Sequence, residues 1–156
     1  KWFLENVWFF IRQKAPQVHL YIAGKNAPDW LLAFNNPDEH LHIVGLVDSA
    51  ERFLKEQEVI VVPLLSGSGM RIKIIEAMAA KKAIVSTSVG AEGIAITDEC
   101  ILIDDAEQFA DSVISLIDNK EAKQELETKA YDLAVSVYSN RSKVKELIQY
   151  YKDLIK

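Results

Sequence analysis

The chain has 156 residues, one cysteine and a formal charge of −5, from 18 Lys plus Arg against 23 Asp plus Glu. That length supports a single domain that buries its own core without disulfides or metal. Cys100, the lone cysteine, excludes an internal disulfide and any cysteine-based metal motif, and the basic residues gather in nothing larger than pairs or triplets, which argues against a nucleic-acid partner.

In chain order, Trp2 to Gln13 carries Phe3, Val7, Phe10 and Ile11 at helical spacing and is closed by Pro16, so it reads as a helix with Trp2, Phe3, Trp8, Phe9 and Phe10 as core material. Val18 to Ile22 and Leu41 to Val44 read as strands ending near Gly24 and Gly45, with a short helix around Asp29 to Phe34 between them. A helix from Ser49 to Glu56 follows, with Asp48 as its expected N-cap. The unbroken β-branched run Val59 to Val62, stopped by Pro63, suits a strand covered on both faces.

The alternation continues with a helix from about Met70 to Ala80, a strand at Ala83 to Thr87, a loop with Gly90 and Gly93, and a strand at Cys100 to Ile103. Helices over Ala106 to Asp118, Lys120 to Val137 and Ser142 to Ile155 finish the chain. This pattern predicts right-handed crossovers and a Rossmann-like, doubly wound α/β fold, with a mostly parallel sheet and helices on both faces. No repeat or linker interrupts it, so residues 1–156 form one domain. No apolar run reaches the roughly 20 residues of a membrane span. The opening lacks an initiator methionine and already reads as helix, which leads us to expect an N-terminally truncated piece of a longer protein.

Ligands of such sheets gather beyond the carboxyl ends of the strands, which directs attention to the loops after Ile22, Val44, Val62 and Val85. The stretch from Pro63 to Ala79 is the most informative. A buried strand feeds a loop with Gly67 and Gly69 that opens into a helix, bringing unpaired N–H groups and the positive end of the helix dipole together as an anion site; a plain tight turn is the other reading. It is neither a P-loop, lacking Gly-Lys-Ser/Thr, nor a dinucleotide fingerprint, which would want a small residue where Ile72 stands. Glu76 has Ile72, Lys73, Ala79 and Ala80 as helical neighbours, so its carboxylate needs a partner, either the Lys73 ammonium or the hydroxyls of a ligand. His19, His40 and His42 read as ordinary strand or edge residues, Cys100 as a buried thiol, and Asp104-Asp105 as a helix start. No catalytic triad is legible.

The run Gly67-Ser68-Gly69-Met70-Arg71-Ile72-Lys73-Ile74-Ile75-Glu76-Ala77-Met78-Ala79 resembles the donor-site loop and helix of the family-4 (group 1) glycosyltransferases of GT-B fold. Tyr21 to Gly24, Val44 to Asp48, and Ile84 to Thr87 with Gly90 to Gly93 are similar to other strands and loops of that family, so the resemblance covers nearly the whole chain. It implies the C-terminal half of a GT-B fold, binding a nucleoside-diphosphate sugar for transfer to an acceptor. Glu76 matches the second glutamate of a Glu, seven residues, Glu pattern and would hold the ribose hydroxyls; Ser68 stands where the first glutamate would be. Backbone groups at Ser68, Gly69 and Met70 would face the diphosphate or sugar, with Gly67 and Lys73 beside them. Gly45, Leu46 and Val47 would lie along the base, and Lys25 would contact base or phosphate.

The resemblance further implies retention of configuration, a hexosyl group, a role in polysaccharide biosynthesis and a cytoplasmic site, peripheral to the membrane only through the missing half. An acceptor domain, and a first donor-domain strand with a basic loop, would precede Lys1. No catalytic residue is identified, no cofactor is expected, and the absence of an Asp-x-Asp tripeptide leads us to expect no metal. The isolated chain would then be inactive. A non-catalytic Rossmann-like nucleotide-binding module is the alternative. A GT-B epimerase is a weaker one, since no acid–base residues for it can be located.

Overall fold

The computed structural model describes residues 1–154, so the expected helix end at Ile155 lies outside the described residues. A π turn at Phe3–Val7 runs into α1 (Trp8–Lys14), and Ala15 breaks it at φ −140°, as a residue before proline must leave the helical region. The aromatic opening divides by helical face. Phe3 and Trp8 are buried whereas Phe9 is exposed, and Trp2 and Phe3 meet Phe109 edge-on at 6.3 and 5.8 Å.

Strand β1 (Leu20–Ala23), α2 (Asp29–Leu32) and β2 (Leu41–Gly45) follow. Next comes α3 (Ala50–Glu56), capped by Ser49 and not by Asp48. Ser49 is extended, and its Oγ accepts from the Arg52 N–H at 3.2 Å; Asp48 lies one residue too early to close that first turn. After β3 (Val59–Val62) come α4 (Ile72–Ala79), β4 (Ala83–Ser86), β5 (Ile101–Leu102), α5 (Ala106–Asp118) and α6 (Lys120–Leu133). Asp105 and Asn119 cap the last two through Gln108 and Ala122. A π turn at Ala134–Tyr138 leads to α7 (Asn140–Leu154).

All strand pairs are parallel, but the expected sheet is divided: β1 pairs with β2, and β3, β4 and β5 form a separate sheet in that order. The parts share one apolar layer beneath α1 and α5, with Leu20, Ile22, Leu41 and Ile43 from the first sheet and Val59, Val61, Val85 and Ile101 from the second. On the opposite face Ile60, Val62 and Ile84 pack against Ile74, Ala77 and Met78 of α4 and Ala130 of α6. Cys100 belongs to this second core, and burial pushes its thiol pKa up to about 12.

Two cavities occupy the gap between β1 and β3. One of about 360 Å³ is lined by His19 and Leu20 on one side and Glu58 and Val59 on the other; one of about 400 Å³ reaches Ala23 and Pro63. The beginnings of the two strands thus face each other, as do their ends. Both therefore run the same way, and every strand-to-helix loop leaves from one edge.

Candidate functional site

At that edge the loops are tied together in pairs. The Gly24 N–H donates to the Gly45 carbonyl at 2.7 Å, and Gly45 takes φ +67°, a left-handed conformation that glycine adopts without penalty. Lys25 lies beside Gly24 in a cavity of about 170 Å³ with Asn26, Pro28 and Ile43, and Leu46 is 76% exposed. In the other sheet, the Thr87 hydroxyl donates to the Leu64 carbonyl and accepts from the Gly90 N–H at 3.0 Å. A β-carbon on Gly90 would stand 2.4 Å from Ser86 Oγ and 2.5 Å from the Val62 carbonyl, so no side chain fits there. Ser88 donates through N–H and Oγ to Asp104 at 2.8 and 2.7 Å, which holds that carboxyl below its usual range. The turn starting at Gly90 ends with Gly93 against the Met70 backbone.

The Gly67–Met70 loop is thus backed by a fixed neighbour. Gly67 and Gly69 take φ +133° and +82°, and α4 begins at Ile72 behind Arg71, with no side-chain cap and no acidic residue in its first turn. The Ile74 N–H donates to the Arg71 carbonyl at 2.9 Å, while the positive end of the helix dipole meets no side-chain acceptor and is open to an anion. Arg71 folds back over the loop. Its Nη1 donates to the Ser68 carbonyl at 2.8 Å, its Nη2 lies 2.2 Å from where a Gly67 β-carbon would be, and its Nε is shielded from solvent without a partner.

Further along α4, Lys73 Nζ donates to Glu76 Oε2 at 2.7 Å, between side chains that are 74% and 43% exposed. Of the partners the sequence allowed for Glu76, the protein itself supplies the ammonium. Glu76 also lines a cleft of about 350 Å³ between α3 and α4, with Ala50, Leu54, Ala79 and Ala80. Its own pair is an exposed one, worth on the order of 0.3–0.5 kcal/mol, and leaves the carboxylate accessible from the cleft.

Residues 1–119 match the family model of the Glycosyl transferases group 1. The chain belongs to the group 1 glycosyltransferases. Its fold is that of GT-B glycosyltransferases of known structure. It superposes on TarM with a TM-score of 0.73 at 20% identity, covering 89% of this chain and 30% of TarM. HepE from Anabaena, solved in complex with UDP, gives 0.78 at 12% identity, covering 94% and 44%. The C-terminal domain of LpcC, a glycosyl transferase group 1 family protein from Francisella tularensis, gives 0.66 at 22%, covering 85% and 78%. The chain therefore spans less than half of TarM or HepE. A search of curated protein sequences gives no match.

In this group 1 glycosyltransferase the residues singled out from sequence fall on two segments of one edge. Lys25 follows β1, and Gly45 ends β2 with Leu46 and Val47 behind it; Gly67, Ser68, Gly69, Met70, Lys73 and Glu76 follow β3. The α3–α4 cleft is lined from both segments' helices, by Ala50 of α3, which follows Val47, and by Glu76 of α4. Two residues escaped the sequence reading. Arg71 looks like any cation at a helix start, and Thr87 like a strand end; only the folded contacts show the one lying on the glycine loop and the other bracing it.

Proposed function

We propose that this chain is the donor-binding half of a two-domain GT-B glycosyltransferase. The diphosphate of a nucleoside-diphosphate sugar lies at Gly67, Ser68, Gly69 and Met70 and the α4 N-terminus, the ribose hydroxyls lie on Glu76, and the base lies along Gly45, Leu46 and Val47, with Lys25 nearby. The observation that carries this reading is the uncapped start of α4 behind a left-handed glycine loop, with Glu76 on the same helix at the mouth of the α3–α4 cleft. Negative charge that develops on a departing diphosphate meets the helix dipole and backbone N–H groups already in place, which lowers the barrier to breaking the glycosidic bond. No metal is needed for that charge in this reading. The complex of the similarly folded HepE with UDP supports a nucleotide donor.

Hexosyl transfer with retention, and a place in polysaccharide synthesis on the cytoplasmic side of a membrane, complete the proposal. The acceptor is held by a further domain of the same polypeptide.

Glu76→Ala in the polypeptide that includes the acceptor domain tests the site. Donor affinity measured by calorimetry falls by about 1.5–3 kcal/mol for each lost charge-assisted bond, while folding stability changes by less than about 0.5 kcal/mol. An unchanged nucleoside-diphosphate affinity returns Glu76 to a surface ion pair. Incubating the present chain with UDP-, GDP- and ADP-sugars and an acceptor panel yields no transfer, and acceptor-dependent turnover by it would refute the half-enzyme reading.

A further inference from the structure

We propose that Arg71 is a direct ligand of the donor's diphosphate; this rests on the Gly67–Met70 loop being the phosphate side of the site. A guanidinium presents five N–H donors in a planar fork and keeps its charge at any physiological pH. Arg71 spends one contact on a neutral acceptor, the Ser68 carbonyl, at 2.8 Å. Its Nε is buried without an acceptor, a costly state for a charged donor. Among the described residues no carboxylate forms an ion pair with it, whereas Lys73, two residues on, is neutralised by Glu76 at 2.7 Å. The charge at the start of α4 that remains unanswered is therefore that of Arg71.

Its position fits the same anion as the loop. The guanidinium rests on Gly67, so close that a β-carbon there would overlap Nη2, and the loop's φ of +133° turns the backbone around it. Gly67 is thus favoured for its conformation, and a β-carbon there would push the flexible guanidinium off its present place. A diphosphate offers paired oxygens that accept a planar fork in bidentate fashion, which neither the Ser68 carbonyl nor a lysine in place of Arg71 reproduces. Binding exchanges one weak contact inside the loop for charge-assisted bonds and frees the Ser68 carbonyl, the position where the family pattern has a glutamate.

Inorganic pyrophosphate is the probe, because it asks about the phosphates alone. This chain, Arg71→Met and Arg71→Lys are titrated with it by phosphorus NMR, which reads millimolar affinities, and thermal unfolding checks that each variant is folded. Arg71→Met weakens pyrophosphate binding roughly tenfold or more, and Arg71→Lys, which keeps the charge and loses the fork, falls between. If Arg71→Met does not fold, a several-fold loss in Arg71→Lys carries the comparison. Equal pyrophosphate affinity in a folded Arg71→Met, in Arg71→Lys where only that variant folds, or none in the unaltered chain, overturns the proposal. A parallel titration with UDP, GDP and ADP separates the two readings: nucleoside diphosphates that bind no tighter than pyrophosphate defeat the nucleotide-sugar reading, and leave Arg71 as a diphosphate ligand.

Discussion

The two sheets carry the two sides of the site on very different foundations. Every residue of β4 is buried, with Phe109 of α5 packed on one face and Ile74 and Met78 of α4 on the other. By contrast, β1 and β2 form a two-stranded ribbon on which Tyr21 and Val44 are exposed, and neither α2 nor α3 contributes a fully buried residue. The loop assigned to the phosphates is therefore anchored in a close-packed core, whereas the loops assigned to the base hang on a lightly covered ribbon. A packed core allows few alternative arrangements, so the invariant portion of a ligand is best met from the first region and the variable portion from the second.

The contrast is sharpened most by deleting core volume on either side. Phe109→Ala removes a fully buried ring and costs about 3–5 kcal/mol, while Ile43→Ala, at a half-buried position of β2, costs about 1–2 kcal/mol. Urea unfolding measures both, and equal losses would erase the distinction. A smaller effect separates the glycines. Gly90→Ala forces a methyl against Ser86 Oγ and the Val62 carbonyl for about 1–3 kcal/mol. Gly45→Ala meets open space and costs only the left-handed conformation, about 1 kcal/mol.

The smallest effect belongs to the ribbon. The rings of His19 and His40 stack at 4.0 Å, and His19 Nδ1 lies 3.1 Å from His42 Nε2. Desolvation lowers the His19 pKa below its usual value, and the charges of His40, His42 and Arg12 act the same way. The folded chain then holds fewer protons than the unfolded one near this pKa, so the contribution is present above the ordinary histidine range and lost as pH falls through the lowered value. The melting temperature should decline on acidification through that window, and His19→Gln should flatten the decline. An unaltered pH profile in that variant would remove His19 from the ribbon's acid sensitivity.

Much of this was legible in the sequence where local chemistry decides the outcome. The run Val59 to Val62 made a strand, Pro16 ended a helix, and the glycines at 67 and 69 preceded one. What was hidden depends on partners distant in sequence. The histidine stack requires the β1–β2 register that sets Tyr21 opposite His42, and histidines at positions 19, 40 and 42 carry no sign of it. The order β3-β4-β5 was hidden for a similar reason, because strand order is not written in any one strand. Ser49 displaced Asp48 as a cap because a one-residue choice between good caps turns on backbone geometry.

The gap between β1 and β3 also bears on how the chain behaves in concentrated solution. Among the described residues each of these strands has hydrogen-bonding neighbours on one side only, so two rows of backbone donors and acceptors face each other across apolar cavities. Unpaired edges of that kind are templates for strands of other molecules. Self-association of the present chain should therefore rise with protein concentration and begin at this cleft rather than at the outer edges of β2 or β5, and a polypeptide that supplies a strand to the gap should lose it.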